Sequence, residues 1–118
     1  MSVSVYAQDC PSRQVLDRIG DTWSVLIVGA LDGGPRRYSE LAARIGGISP
    51  KMLTQTLRGL ERDGMISRTV FAEVPPRVEY TLTELGRSLL GLVSGLEAWA
   101  EAHIGDVAAA RATYDARA

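Results

Sequence analysis

Residues 36–86 restrict the fold of this chain more than any other segment. They contain two short amphipathic stretches separated by Gly46-Gly47, and the second stretch opens with Ser49-Pro50, an N-cap residue followed by a first-turn proline. Two runs with strand character follow, and Pro75-Pro76 lies between them. Because proline is excluded from central strands, this pair is expected at the tip of a hairpin. The order helix, tight turn, helix and hairpin predicts a winged helix-turn-helix.

Local start and stop signals divide the whole chain into elements. Helices are predicted over residues 11–19, 22–31, 40–45, 50–63 and 84–104, and strands over residues 66–74 and 77–82. Ser39 and Thr83 are the expected N-caps of the third and fifth helices. The predicted fold class is mainly α with a small β-hairpin wing, in a single domain of residues 1–118 whose helix-turn-helix and wing cover about residues 36–82.

Length and composition are those of one globular domain. The chain has 118 residues, of which 46% are hydrophobic and 23% charged. Its longest apolar run is far shorter than the roughly 20 residues that cross a bilayer, and the N-terminus lacks the basic and apolar blocks of a secretory signal. One cysteine, Cys10, cannot form an intramolecular disulfide. We therefore expect a cytoplasmic protein with no membrane partner.

Charge is distributed unevenly along the chain. The net charge is −1, but residues 36–77 hold eight basic and four acidic residues, which gives this segment a charge of +4. The remainder holds five basic and ten acidic residues, a charge of −5. Clustered positive charge favours binding to phosphate groups more than the sum over the chain does. The segment is therefore expected to bind double-stranded DNA, the alternative being that these charges only keep one face in water.

The fourth helix has one face that suits base recognition. Leu53, Leu57 and Leu60 recur at intervals of four and three and mark its buried side. The opposite side then carries side chains that can pair with adenine, guanine and a thymine methyl group. Residues of the first turn are suited to a phosphate. The expected DNA contacts of this helix are Ser49, Pro50, Lys51, Thr54, Gln55 and Arg58.

Four further arginines are expected at the DNA backbone or in a minor groove. Arg68 and Arg77 lie on either side of the hairpin tip, and Arg36 and Arg37 precede the third helix. Arg77 is the strongest candidate because it adjoins the rigid Pro-Pro tip. The alternative for any one of them is an ordinary ion pair with Glu40, Glu73 or Glu79.

The long C-terminal helix has more apolar surface than a small core can cover. Such a stripe is usually covered by a second copy of the chain, although folding back on its own core is the alternative. Helices 11–19 and 84–104 are therefore expected to form a homodimer interface. Its central residues are predicted to be Leu16, Leu89, Leu92, Leu96 and Trp99. Two-fold symmetry would set the two reading helices about 34 Å apart.

The sequence closely resembles the HxlR-type winged-helix transcriptional regulators, which are relatives of the MarR group. The resemblance is carried by Cys10-Pro11, by Trp23 with VLIVGAL at residues 25–31, by RRYSEL at 36–41, by GISPKMLTQTLRGLERDG at 47–64 and by VPPRVEYTLTELG at 74–86. Thr22 departs from the family, which often has lysine before the tryptophan. The resemblance implies a bacterial homodimeric regulator, usually a repressor, that binds inverted-repeat operators. It also implies that residues 49–63 form the recognition helix and residues 74–77 the wing.

Cys10 has two interpretations. It adjoins Pro11 at the start of the first helix, where the positive helix end favours a thiolate, Arg13 would assist and Asp9 would oppose. Some members of the resembled family sense oxidants or electrophiles through a cysteine at this place. Cys10 is thus expected to be either a redox-sensing residue or an unreactive helix cap.

Other functional classes fit the sequence less well. It has no glycine-rich phosphate loop and no CxxC or HxxxH spacing, and His103 is its only histidine, so we expect no enzyme activity, metal or cofactor. A winged helix used only for protein contacts is disfavoured by Lys51, Arg58 and Arg77. A further alternative keeps DNA binding and assigns control to a small apolar effector in the dimer cleft near Trp23 and Trp99.

Overall fold

A computed structural model of the protein describes residues 4–117. Six helices and one hairpin follow each other along the chain: α1 (Pro11–Ile19), α2 (Thr22–Ala30), α3 (Tyr38–Arg44), α4 (Pro50–Arg62), β1 (Ile66–Phe71), β2 (Arg77–Leu82), α5 (Glu84–Arg87) and α6 (Leu90–Asp115). The predicted class, mainly α with a hairpin wing, is confirmed. Within residues 4–117 no helix is both long and apolar enough to cross a bilayer.

The core forms where α2, α3 and α4 meet. The three leucines expected on the inner face of α4 are all buried, as are Ile27 and Leu41 from the two neighbouring helices. The hairpin closes one side of this core through Ile66 and Leu82, the first pair of its register. Helix α4 is therefore fixed to the body of the protein along its whole length, which holds its outer face in place.

The two helices of the helix-turn-helix differ in how they begin. At α4 the expected cap is confirmed, because the Ser49 hydroxyl accepts the Met52 backbone N–H at 3.1 Å. At α3 the prediction of a Ser39 cap was wrong, since the N-cap is Arg37 and Ser39 is the second residue of the helix. There the Glu40 carboxylate reaches back to accept the Arg37 backbone N–H at 2.8 Å. The Glu40 side chain thus accepts the backbone N–H of the N-cap residue, whereas a serine N-cap would have accepted the backbone N–H of the third helical residue.

The hairpin is antiparallel and pairs Ile66 with Leu82 at one end and Phe71 with Arg77 at the other. Strand β1 ends at Phe71, three residues earlier than expected, and the tip carries the two prolines. On the edge of β2 that faces away from β1, the Arg36 and Tyr80 backbones exchange hydrogen bonds of 3.0 and 2.8 Å. This bridge joins the segment before α3 to the wing, so helix-turn-helix and wing form one unit.

The expected helix over residues 84–104 is divided in two and extends further than predicted. Helix α5 ends at Arg87, and α6 starts at Leu90 and continues to Asp115. Helix α5 is pressed against the start of β1, because a Cβ atom on Gly86 would overlap the Met65 carbonyl oxygen. The Thr83 hydroxyl accepts the Gly86 N–H at 3.1 Å and donates to the Gly64 carbonyl at 2.6 Å. The extension beyond Ile104 is rich in alanine, the best helix former.

Candidate nucleic-acid interface

The outer face of α4 is polar and open to solvent. Lys51, Gln55 and Arg58 are exposed and Thr54 is half-buried, while the leucines point to the core. Thr56 is also buried, with its hydroxyl donating to the Met52 carbonyl at 2.8 Å, which the spacing of the leucines did not reveal. Among residues 4–117, neither Lys51 nor Arg58 forms an ion pair. The charges of this face are thus available to an anion.

The first turn of α4 is occupied by contacts within the protein. The Ser49 hydroxyl serves as the helix cap, and the Pro50 carbonyl accepts a hydrogen bond from the Tyr38 hydroxyl at 3.1 Å. Tyr38 was not singled out from the sequence, where nothing places it opposite α4. Its hydroxyl joins α3 to the start of α4. The phosphate role expected for Ser49 and Pro50 stays a prediction.

Arg77 is held inside the wing. Its guanidinium lies 3.3 Å from a Glu73 carboxylate oxygen and 3.5 Å from one of Glu79, and it stacks on the Phe71 ring at 4.1 Å from the ring centre. The ion-pair alternative is therefore realised at the arginine that was the strongest candidate for a free phosphate contact. Arg68, in contrast, is exposed and forms no ion pair with any residue in 4–117.

Arg36 and Arg37 lie next to each other but in different surroundings. Arg36 is half-buried through its backbone bridge to Tyr80, and Arg37 is exposed at the start of α3. No ion pair engages either side chain within the part of the chain that is described. Both remain predicted contacts to the DNA backbone.

A cleft of about 410 Å³ separates the outer face of α4 from the hairpin. We call it the α4–wing cleft. Hydroxyl groups and two arginines dominate its walls, together with one carboxylate. It is lined by Tyr38, Thr54, Leu57, Arg58, Glu61, Arg68 and Tyr80.

The residues expected at a dimer interface fall into two groups. Leu16, Leu92, Leu96 and Trp99 are each about half exposed, at 47, 54, 49 and 59%. Leu89 instead packs against the chain's own core and is only partly accessible. The Trp99 ring also stacks on His103 at 4.5 Å between ring centres. The first group thus presents an apolar surface that the rest of residues 4–117 covers only in part.

Cys10 occupies the N-cap position of α1, as expected, but its side chain makes no capping hydrogen bond. The residue is 1% exposed. A reagent can therefore reach the thiol only if the start of α1 moves. A separate apolar groove of about 320 Å³ lies between α1 and α5, lined by Val15, Asp63, Met65, Leu85, Ser88 and Leu89, and not by Trp23 or Trp99.

Metal-binding geometry is absent from the described chain. Between residues 4 and 117, no three histidine, cysteine, aspartate or glutamate side chains come together as a metal ion would require.

Comparison with known proteins identifies the group to which this architecture belongs. The model of the HxlR-like helix-turn-helix family matches residues 18–108. The HTH-type transcriptional regulator YtfH of Escherichia coli is 44% identical over 108 residues, which cover 92% of this chain and 86% of that protein. The solved structure of a transcriptional regulator ytfH from Salmonella typhimurium superposes with a TM-score of 0.86 at 44% identity, covering 92% of this chain and 96% of the other. The redox regulator HypR in its oxidized form superposes with a TM-score of 0.73 at 40% identity, covering 79% and 96%.

Proposed function

The chain belongs to the HxlR-like helix-turn-helix family of transcriptional regulators, and we propose that it is a sequence-specific repressor that binds an inverted-repeat operator as a homodimer in the cytoplasm. The observation that carries this proposal is the outer face of α4. Lys51, Gln55 and Arg58 stand exposed, without ion pairs among the described residues, on a helix fixed by its buried side. A rigid helix with free donors is what reading base edges in a major groove requires.

The dimer is supported by the uncovered apolar side chains of α1 and α6. Leu16, Leu92, Leu96 and Trp99 are large, apolar and exposed, and soluble proteins rarely leave such a set uncovered. A two-fold interface through these helices would carry one α4 on each side of the axis. Two reading helices about one DNA turn apart then match an inverted repeat.

Selection of duplexes from a random-sequence DNA library by the reduced protein tests DNA recognition. We expect an inverted repeat to be enriched, with an affinity that falls steeply as salt rises. The Gln55→Ala variant should bind with relaxed preference at one base pair of each half-site, because the Gln55 amide that it lacks is expected to recognise a base edge rather than a phosphate. If folded protein enriches no sequence, the proposal is wrong.

We further propose that Cys10 makes operator binding responsive to oxidants or electrophiles. The support is its place at the start of α1, a helix of the proposed interface, and the likeness to a structure described as a redox regulator in oxidized form. Because the thiol is buried, modification would displace the start of α1 and so alter the dimer.

Complete alkylation of the thiol, confirmed by mass, tests this second proposal. Alkylation should change the operator affinity of the protein that contains Cys10. It should leave the affinity of the Cys10→Ser variant, treated in the same way, constant. An affinity that is unchanged after full modification of Cys10 would contradict the sensing role and leave DNA binding intact.

A further inference from the structure

The α4–wing cleft brings together two arginines that have no anionic partner within residues 4–117. Arg58 reaches it from α4 and Arg68 from β1. Arg68 pairs directly with Tyr80 in the hairpin register, so the two side chains lie on the same side of the sheet. The cleft is therefore built from two separate elements whose cations point at one volume.

Tyr80 adds an unused hydroxyl to this volume. Its backbone N–H and C=O both bond to Arg36, and the strand that carries it pairs with β1 along the other edge, which fixes the backbone from which the ring projects. Its hydroxyl has no hydrogen-bond partner among the described residues. The Tyr38 hydroxyl, by comparison, already donates to the Pro50 carbonyl. Arg58, Arg68 and Tyr80 thus supply three sets of free donors at one place.

The charge of the cleft suits a singly charged anion. Glu61 lines the same walls as the two arginines, so the three ionised side chains sum to a single positive charge. A phosphodiester carries one negative charge, whereas a phosphate monoester carries nearly two at neutral pH. The geometry agrees, because a helix seated in a major groove has a sugar-phosphate backbone along each flank, and the cleft is the flank next to the wing.

We propose that the α4–wing cleft binds one phosphodiester of the operator backbone, with Arg58, Arg68 and the Tyr80 hydroxyl as its donors. This inference rests on the proposed function. It changes the role of Arg58 from a reader of guanine, as its place on the helix suggested, to a backbone anchor. It adds Tyr80 to the DNA contacts, and it leaves base recognition to Lys51, Thr54 and Gln55.

Affinities for the selected operator and for its single-base variants, measured over a range of salt concentrations, test the assignment. Arg58→Ala and Arg68→Ala should each weaken binding about tenfold on every duplex alike. Each should also lower the slope of log affinity against log salt by about one. The double variant should lose less than the product of the two losses, because both side chains share one phosphate. Arg111→Gln, which removes a charge from exposed α6, is the matched control and should change little.

Two conservative variants probe the rest of the cleft. Tyr80→Phe keeps the ring and should weaken binding severalfold with no change in the salt slope, since a neutral donor is lost. Glu61→Gln removes the repelling carboxylate and should strengthen binding. Thermal unfolding of all variants should stay close to that of the unmodified protein, because none of these side chains is fully buried.

Operator duplexes with a single neutral methylphosphonate locate the phosphate directly. The unmodified protein should lose affinity wherever the substitution neutralises a contacted phosphate, and at one of these positions per half-site Arg58→Ala should lose nothing more. Relaxed specificity at one base pair in Arg58→Ala, or additive losses for the two arginines, would overturn the phosphate site while the regulator function stands. Protection of the fold by inorganic phosphate through these arginines would assign the cleft to a free anion instead. Failure of the unmodified protein to bind any operator would overturn both proposals.

Discussion

Helices α4 and α6 use their surfaces in opposite ways. Helix α4 has 13 residues and buries four of them on one side, whereas α6 has 26 residues and buries only Val93. The exposed face of α4 is polar and stable in water. The exposed face of α6 includes Leu92, Leu96, Trp99, Ile104 and Tyr114. Both faces are expected to meet a partner, but only α6 needs one to remove apolar surface from solvent.

The largest effect should come from the buried side of α4. Leu57→Ala is expected to lower the free energy of unfolding by about 3 kcal/mol, because it leaves a cavity among α2, α3 and α4. Urea unfolding at fixed protein concentration measures it. Gln55→Ala, on the exposed face of the same helix, should cost less than about 0.5 kcal/mol. Similar costs at the two positions would remove the distinction between the faces of α4.

Substitution on the exposed side of α6 should act on association. Leu96→Asp places a charge in the centre of the apolar stripe and is expected to weaken the dimer by about 2 kcal/mol, near 30-fold in dissociation constant. Sedimentation velocity over a dilution series gives this value. Ser94→Asp, on the same helix but nearly opposite in direction, serves as control and should leave the dimer unchanged. If the unmodified protein is a monomer at every concentration, the expectation that the apolar face of α6 needs a partner is wrong.

The starts of the two helices provide a smaller test. Helix α4 begins at a serine cap, whereas Leu89, the N-cap of α6, supplies no capping side chain. Ser49→Ala should therefore cost about 1 kcal/mol, and Ser49→Gly only a few tenths. Thermal unfolding of the two variants measures both. A negligible cost of Ser49→Ala would mean that the Met52 N–H finds another acceptor.

Gly59 tests a third surface of α4, the one covered by α1. The Arg18 guanidinium lies where a Cβ on Gly59 would be, and its Nε is 2.9 Å from an Asp63 carboxylate oxygen. Gly59→Ala should gain up to about 1 kcal/mol of helix propensity and lose part of the ion pair, for a net change within about 0.5 kcal/mol. In an Arg18→Ala background the same change should stabilise by the full amount. Identical effects in both backgrounds would show that Arg18 does not rest on this glycine.

The sequence predicted best those features whose signals are local. The cap at Ser49, the stop at Asp63-Gly64 and the proline tip each depend on adjacent residues, and all three are present in the structure. The division between α5 and α6 was missed. It lies beside a close contact between Gly86 and Met65, which are 21 positions apart, and such a contact has no local signal in the sequence. Helix periodicity alone continues through such a contact without a break.

The candidate site shows the same contrast between features with local signals and features that depend on contacts between distant residues. Helical geometry was sufficient to place Lys51, Gln55 and Arg58 on one face. It was not sufficient to show that Arg77 lies between two carboxylates, or that Arg58, Arg68 and Tyr80 line one cleft. Those facts depend on how the hairpin packs against α4, and pairing across elements cannot be derived from the spacing within either one.

The bridge between Arg36 and Tyr80 has a consequence for protein engineering. Bridged residues have Cα atoms only about 5 Å apart, so the DNA-reading segment leaves the body and returns to it at nearly the same point. A segment whose two ends lie side by side can be exchanged between relatives, because the distance between the two junctions in the recipient chain stays the same. A chimera that exchanges residues 36–80, and keeps the leucines facing α2, should therefore acquire the donor's operator preference together with the recipient's dimer.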